Sequence, residues 1–277
     1  MSTLAAHWPA AMVWAFCLGI GLCSGFLAGL LGVGGSTVIV PALLLAARWL
    51  GIGADDAAQV AMATALAIVI PTSISSAQAH ASRGSIDWHA FWRLAPGITA
   101  GALAGTLAAC ALGSRPALAA FIALALLAAR RLLAPDARSR AAGPSAPARP
   151  LAFLGPRSVA IGLVSGLAGV GGGLLSVPLL ARDIPMRHAI GTAAALGLPL
   201  AAAGLTGYLV AGRAAQCAAG CLGCVFVPAV PAVSLASIMA APLGASLGHR
   251  LPVRWLERGF AGLLLLVCAD FSMELLR

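Results

Sequence analysis

The chain has 277 residues, of which 61% are hydrophobic and 9% charged, with a mean hydropathy of +0.99. A soluble domain carries roughly a quarter charged residues, so the composition excludes a soluble globular protein and requires an integral membrane one. The net charge of +9 comes from 17 arginines without a single lysine. They lie between apolar stretches, where they act as orientation signals and not as a nucleic-acid footprint.

The first apolar segment is Pro9–Leu31. Met1–Pro9 lacks Lys and Arg, and the segment ends in glycines instead of a small-residue cleavage site, which predicts no cleavable signal peptide. Ser36–Leu50, Ala57–Ala79, Ala90–Leu112 and Pro116–Leu133 follow, several of them near the roughly 20 residues that a helix needs to cross hydrocarbon. Ala134–Pro150 is rich in Pro, Ala, Ser and Arg and predicts an exposed linker. After it come Leu151–Val170, Leu174–Ala181, Ala189–Ala211, Ala214–Leu247 and Leu256–Leu276, giving five segments on each side. At about 1.5 Å per residue, Leu174–Ala181 is too short to cross about 30 Å of hydrocarbon. It reads as half of a hairpin that enters the membrane and turns back, so the full spans number eight or fewer against ten segments.

One glycine-rich phrase occurs twice. Gly25–Pro41 aligns without a gap on Gly162–Pro178, with Gly25/Gly162, Gly29/Gly166, Leu30/Leu167, Gly32/Gly169, Val33/Val170, Gly34/Gly171, Gly35/Gly172, Val40/Val177 and Pro41/Pro178 identical. A second block matches Ala61, Thr64, Ala65, Pro71, His80 and Gly84 to Ala189, Thr192, Ala193, Pro199, Tyr208 and Gly212, all identical except the His80/Tyr208 pair. The connector between the blocks is longer in the first copy, as duplication followed by loop drift would leave it. The expected architecture is therefore an all-α polytopic membrane protein of two homologous halves. Residues 1–134 form the first membrane repeat, 135–150 the linker and 151–277 the second repeat.

With the linker cytoplasmic and the chain crossing alternately, 13 arginines fall on the cytoplasmic side and four outside. This is a strong positive-inside bias, and it places both termini outside. Equivalent loops of the two halves then face opposite sides, which predicts inverted repeats. A parallel repeat with four spans per half is the competing count.

The chemistry concentrates where the helices break. Contiguous glycines, each costing about 1 kcal/mol against alanine in a helix, should end the helix at Gly32-Val33-Gly34-Gly35 and at Gly169-Val170-Gly171-Gly172-Gly173. Such a break must be buried in protein or line a wet cavity. A helix starting at Ser36 or Leu174 would aim its free N–H groups at that cavity, a ready anion site. Gly32, Gly34, Gly35, Ser36, Gly169, Gly171, Gly172 and Gly173 are accordingly the expected substrate contacts. The spaced pairs Gly25/Gly29 and Gly162/Gly166 suit close helix packing.

Thr64 and Thr192 could donate to a bound oxyanion or back-bond to their own helix. Pro41, Pro71, Pro178 and Pro199 are expected kink positions. Ser36, Thr37, Ser73, Ser75, Ser76 and Gln78 are further polar candidates. His80 could titrate with a coupled proton, against the plainer reading of an interfacial histidine. The few acidic residues lie in connectors or, as Asp270 and Glu274, near the end of the last segment, so no acidic ladder for cation pumping is visible. Most of the seven cysteines sit in apolar stretches as small hydrophobes, which argues against a disulfide framework. Cys221-Leu222-Gly223-Cys224 is a CxxC, and a membrane thiol–disulfide electron carrier using Cys221 and Cys224 is the rival function. No nucleotide loop, metal-ligand cluster or nucleophile elbow is present, so neither an enzyme nor a metal or cofactor site is expected.

The duplicated GxxxG-x2-GxGG…VP motif, followed by the A-x2-T…P helix and the linker, resembles the sulfite exporter TauE/SafE family of membrane permeases. The resemblance covers nearly the whole chain. It differs from the family pattern in Ser36, which replaces a third contiguous glycine in the first copy, and in the cysteine-rich Cys217–Cys224 stretch. The resemblance implies a multi-pass permease of the inner membrane. Its partners would be a small anion, such as sulfite, a sulfonate or a related sulfur compound, and the lipid bilayer, with no nucleic acid. Transport by alternating access around a midplane site is the expected mechanism.

Overall fold

A computed structural model describes residues 10–31, 35–47, 54–133, 154–181, 183–212 and 221–247, with a few positions between 259 and 269. Gly32, Val33, Gly34, Cys217, the linker and most of the last apolar segment lie outside the described residues.

The described helices of the first half are α1 (Ala10–Leu31), α2 (Ser36–Ala47), α3 (Ala54–Ala81), α4 (Trp88–Leu112) and α5 (Ser114–Leu133). Those of the second half are α6 (Leu154–Leu167), α7 (Gly173–Leu180), α8 (Met186–Ala211) and α9 (Ala229–Leu247). Most expected segments are therefore helices with ends shifted by a few residues. Five of them, α1, α3, α4, α8 and α9, are long and apolar enough to span a membrane. α2 has 12 residues and α7 has eight, too short to cross.

One expected segment is corrected. Ala214–Leu247 is not continuous helix, because Cys221–Leu222 pairs antiparallel with Val225–Phe226 (strands β1 and β2) ahead of α9. Gly223, with φ +60°, supplies the left-handed first turn residue that a type II′ hairpin needs. The CxxC thus straddles a hairpin turn and does not lie on a helix.

The two halves exchange partners reciprocally. α1 lies along α9, and α4 lies along α6; α3 and α8 pack together at the centre, α3 also touching α9 and α8 also touching α4. The spaced glycines make this possible. A Cβ on Gly25 or Gly29 would overlap the main chain of α9 at Ser237 and Ala241. One on Gly162 or Gly166 would overlap α4 at Ile98 and Ala102. Gly244 of α9 and Gly101 and Gly105 of α4 return the contact against Phe26, Val159 and Leu163. Main chains that approach this closely gain van der Waals contact that lipid cannot supply, which offsets the weak helix propensity of glycine. Hydroxyls add interhelical bonds: Ser237 donates to the Gly21 carbonyl at 2.9 Å, and Ser24 and Ser237 share a bond of 3.0 Å.

Side chains of α3 and α8 fill the centre, with Met62, Leu66, Ile68, Leu196 and Leu200 all fully buried. The outer surface is apolar. Leu235, Met239 and Leu243 on α9 are each more than half exposed, a surface suited to acyl chains and untenable in water. Trp88 and Trp92 at the start of α4 are also exposed, with Phe91 packed edge-on between them, the kind of aromatic cluster that settles at headgroup level.

Candidate anion site at the two glycine breaks

The second glycine motif breaks the helix as expected. α6 stops at Leu167, Ala168–Gly172 are non-helical, and α7 begins at Gly173. Gly173 is thus the first helical residue and not part of the break, a one-residue shift from the expected helix start. Gly169 has φ +62°, a conformation glycine adopts without strain, and a Cβ there would overlap Met62. Gly172 precedes the helix with no side-chain cap, so the first N–H groups of α7 are left to other partners. In the first half, α1 ends at Leu31 and α2 starts at Ser36. Of that break only Gly35 is described; Gly32 and Gly34 lie outside the described residues.

The two breaks meet. The Ser36 hydroxyl accepts a hydrogen bond from the Gly171 amide, joining the start of α2 to the non-helical stretch before α7. Beside this contact is a cavity lined by Gly35 from the first break and Gly172 and Gly173 from the second. Thr72, Ser73 and Ser76 of α3 form one wall; Ala193, Ala194 and Gly197 of α8 form another, and Ala28 of α1 completes it. The volume open to a water's centre is about 10 Å³, room for about one water molecule.

The hydroxyls on the α3 wall differ in how they are used. Thr72 donates back to the Ile68 carbonyl at 2.9 Å, whereas the Ser76 hydroxyl is buried with no hydrogen-bond partner among the described residues. A buried hydroxyl left unpaired costs about 1–3 kcal/mol. Ser176, in the first turn of α7, is a second such hydroxyl, and a Cβ on Gly172 would sit 3.5 Å from its oxygen. Sequence reasoning missed Thr72 and Ser176 and gave Ser73 and Ser76 no more weight than Ser75 and Gln78. Ser75 is spent on the Ile238 carbonyl of α9, at 3.0 Å, and Gln78 is exposed. The usable signal was the hydroxyl run one residue after Pro71, which has no counterpart after Pro199.

Thr64 and Thr192 are fully buried but do not line the cavity. Their hydroxyls accept main-chain hydrogen bonds from the opposite half. Phe226 N donates to Thr64 at 2.9 Å, and Asp87 N donates to Thr192 at 2.9 Å. Asp87 also caps α4, its carboxylate accepting from the Ala90 amide at 3.0 Å. Pro41, Pro71, Pro178 and Pro199 all fall inside helices.

His80 is buried within the helix bundle. It is 3% exposed at the end of α3, with Nε2 3.2 Å from the Gly29 carbonyl oxygen, a geometry that requires the proton on Nε2. Tyr208, its counterpart, is equally buried and points its hydroxyl at the Met62 sulfur, 3.6 Å away. The expectation about cysteines is corrected at one position: Cys221 is disulfide-bonded. Cys224 is not in a disulfide and is fully buried, so the two do not form a CxxC bridge. Among the described residues no cluster of His, Cys, Asp or Glu could hold a metal ion.

Comparison with known proteins agrees with this architecture. A family model for the sulfite exporter TauE/SafE matches residues 17–271. A curated protein of Haemophilus influenzae (strain ATCC 51907 / DSM 11121 / KW20 / Rd), described as a probable membrane transporter protein, is 32% identical over 260 residues. That alignment covers 93% of this chain and 97% of the relative. No solved structure gives a significant match. The extent of the family match, together with a multi-pass apolar helical body, establishes that the chain belongs to the sulfite exporter TauE/SafE family, whose members are membrane transporters and not enzymes.

Proposed function

We propose that this protein is a secondary transporter of small anions, with sulfite, sulfonates or related sulfur compounds as its solutes, working by alternating access around the cavity between the two glycine breaks. The observation that carries this reading is the convergence of Gly35, Gly172 and Gly173 on one cavity, beside the Ser36–Gly171 hydrogen bond. The starts of α2 and α7 bring two positive helix ends to one place, and this attracts an anion.

Two inverted repeats would supply the moving parts. The reciprocal packing of α1 on α9 and α4 on α6 is what a two-fold relation between the halves requires. With the 135–150 linker cytoplasmic and both termini external, Thr64 and Phe226 fall toward the outside and Thr192 and Asp87 toward the inside. The two hydrogen bonds then act as matching latches on opposite sides of the inner membrane. With both made, the cavity has room for about one water, so admitting a larger anion would require the halves to move apart. The Cys221 disulfide supports this orientation, because such bonds persist in oxidising compartments outside the cytoplasm.

The direct test is a flux screen of the purified protein in proteoliposomes with sulfite, sulfate, thiosulfate, sulfoacetate and taurine. Wild-type protein should move at least one of them. Gly34→Leu and Gly171→Leu should abolish that flux while the protein stays in the membrane. Undiminished flux through both variants would show that the solute passes elsewhere.

A further inference from the structure

We infer that Ser76, seconded by Ser73 one helical turn earlier, is the specificity-determining side chain of this cavity and donates its hydroxyl hydrogen to an oxygen of the transported anion. The inference rests on the reading of the cavity as the anion site. It adds which wall holds the solute, and by what group.

Three observations converge on Ser76. Its side chain is 2% exposed, it lines the cavity that both glycine breaks share, and its hydroxyl has no partner among the described residues. A buried hydroxyl in this condition is normally satisfied by protein, water or ligand. The neighbouring hydroxyl of Thr72 is committed to its own helix, at 2.9 Å from the Ile68 carbonyl, and is not available in the same way. Ser73 and Ser76 are three residues apart, so they project from the same face of α3. The main chain of α8 comes close to that face because residue 197 is glycine; a Cβ there would lie 2.7 Å from the Ser73 hydroxyl oxygen.

The hydroxyl wall is one-sided. In the repeat alignment that pairs Pro71 with Pro199, Ser73 and Ser76 correspond to Ala201 and Gly204, which carry no hydroxyl. The α8 wall of the cavity is Ala193, Ala194 and Gly197. The solute therefore lies asymmetrically. Its oxyanion end faces Ser73, Ser76 and the helix starts, and its remaining surface lies against small apolar residues of α8. Among the described residues none of the lining side chains is charged, so the solute is held by hydroxyl and main-chain donors and not by a salt bridge. Charge-assisted hydrogen bonds from such donors are strong where water is excluded.

The test uses full-length protein in liposomes of phosphatidylethanolamine and phosphatidylglycerol, with radiolabelled sulfite and methanesulfonate as probes. Ser76→Ala should raise KM for the transported probe about tenfold, the loss expected for one hydrogen bond to a charged group. Ser76→Thr, which keeps the hydroxyl, should restore KM to near the wild-type value. Ser234→Ala is the control, because Ser234 is also a buried hydroxyl without a partner but lies on α9 away from the cavity lining. Its KM should not move, whatever happens to protein yield. An unchanged KM in Ser76→Ala, or an equal rise in Ser234→Ala, overturns this inference alone. Wild-type vesicles that move neither probe overturn the anion-site reading and this inference with it.

Discussion

Thr64 and Thr192 occupy matching places in the two halves and make the same hydrogen bond to opposite partners. Each buried hydroxyl oxygen accepts from a main-chain amide 2.9 Å away, just before the fourth helix of the other half: Phe226 for Thr64 and Asp87 for Thr192. Neither threonine is back-bonded to its own helix in the way that Thr72, Thr99 and Thr106 are. A hydroxyl that reaches across to a connector ties the centre of one half to the loop of the other.

Replacing either threonine by valine keeps the shape and removes the acceptor. A buried amide without a partner costs about 1–3 kcal/mol, so each variant should lower the melting temperature in detergent, while Thr→Ser should not. If the bonds are latches, the variants should also differ by side. In a cysteine-free background with a probe cysteine at Ala194, Thr192→Val should speed labelling from the linker side and Thr64→Val from the opposite side. Equal labelling of both variants from both sides would remove the latch role.

Packing glycines and cavity glycines should separate in a second experiment. Gly25→Ala and Gly162→Ala place a methyl against the main chain of α9 and α4, which cannot yield as a side chain would. Overpacking of this kind costs about 1–3 kcal/mol, and both variants should show reduced thermal stability. Gly19→Ala, with nothing within 4 Å of the added methyl, should be neutral or slightly stabilising. If all three behaved alike, close packing would not explain the spaced glycines.

Gly172→Ala should damage transport more than stability. Its added methyl would meet the Leu200 Cδ1 at 2.7 Å, the far end of a flexible side chain, and would narrow a cavity of about 10 Å³. We expect folded protein with strongly reduced flux. Gly169→Ala should behave in the opposite manner, because φ is +62° and Met62 is in the way, so the fold itself should be destabilised. A Gly172→Ala variant with full flux would argue against the cavity.

The cysteines should be dispensable. Cys221 is disulfide-bonded while Cys224 is buried outside any disulfide, an arrangement unlike a working dithiol pair. Protein with all seven cysteines replaced by alanine should retain flux in proteoliposomes, with some loss of stability near the hairpin. Complete loss of function on removing Cys221 and Cys224 alone would revive the electron-carrier reading.

Much of this molecule was readable before its structure. The glycine runs located a helix break to within one residue at Gly173, and the spaced pairs marked contacts that are now seen between α1 and α9 and between α4 and α6. The hairpin at Cys221–Phe226 was missed because an apolar run carries no periodicity that separates strand from helix. The sequence leaves His80 between a proton-coupling role and an interfacial one; only the fold shows that the approach of α1 buries it against the Gly29 carbonyl.

Composition alone determined the membrane class, and the second glycine run the place where α6 gives way to α7, because hydropathy and helix propensity are local properties of the chain. Which hydroxyls are spent and which are left over was decided only in three dimensions. Thr72 and Ser76 lie one helical turn apart, and nothing in their local sequence distinguishes them. Both line a cavity to which residues of both halves contribute, but Thr72 bonds back to Ile68 while the Ser76 hydroxyl has no partner among the described residues.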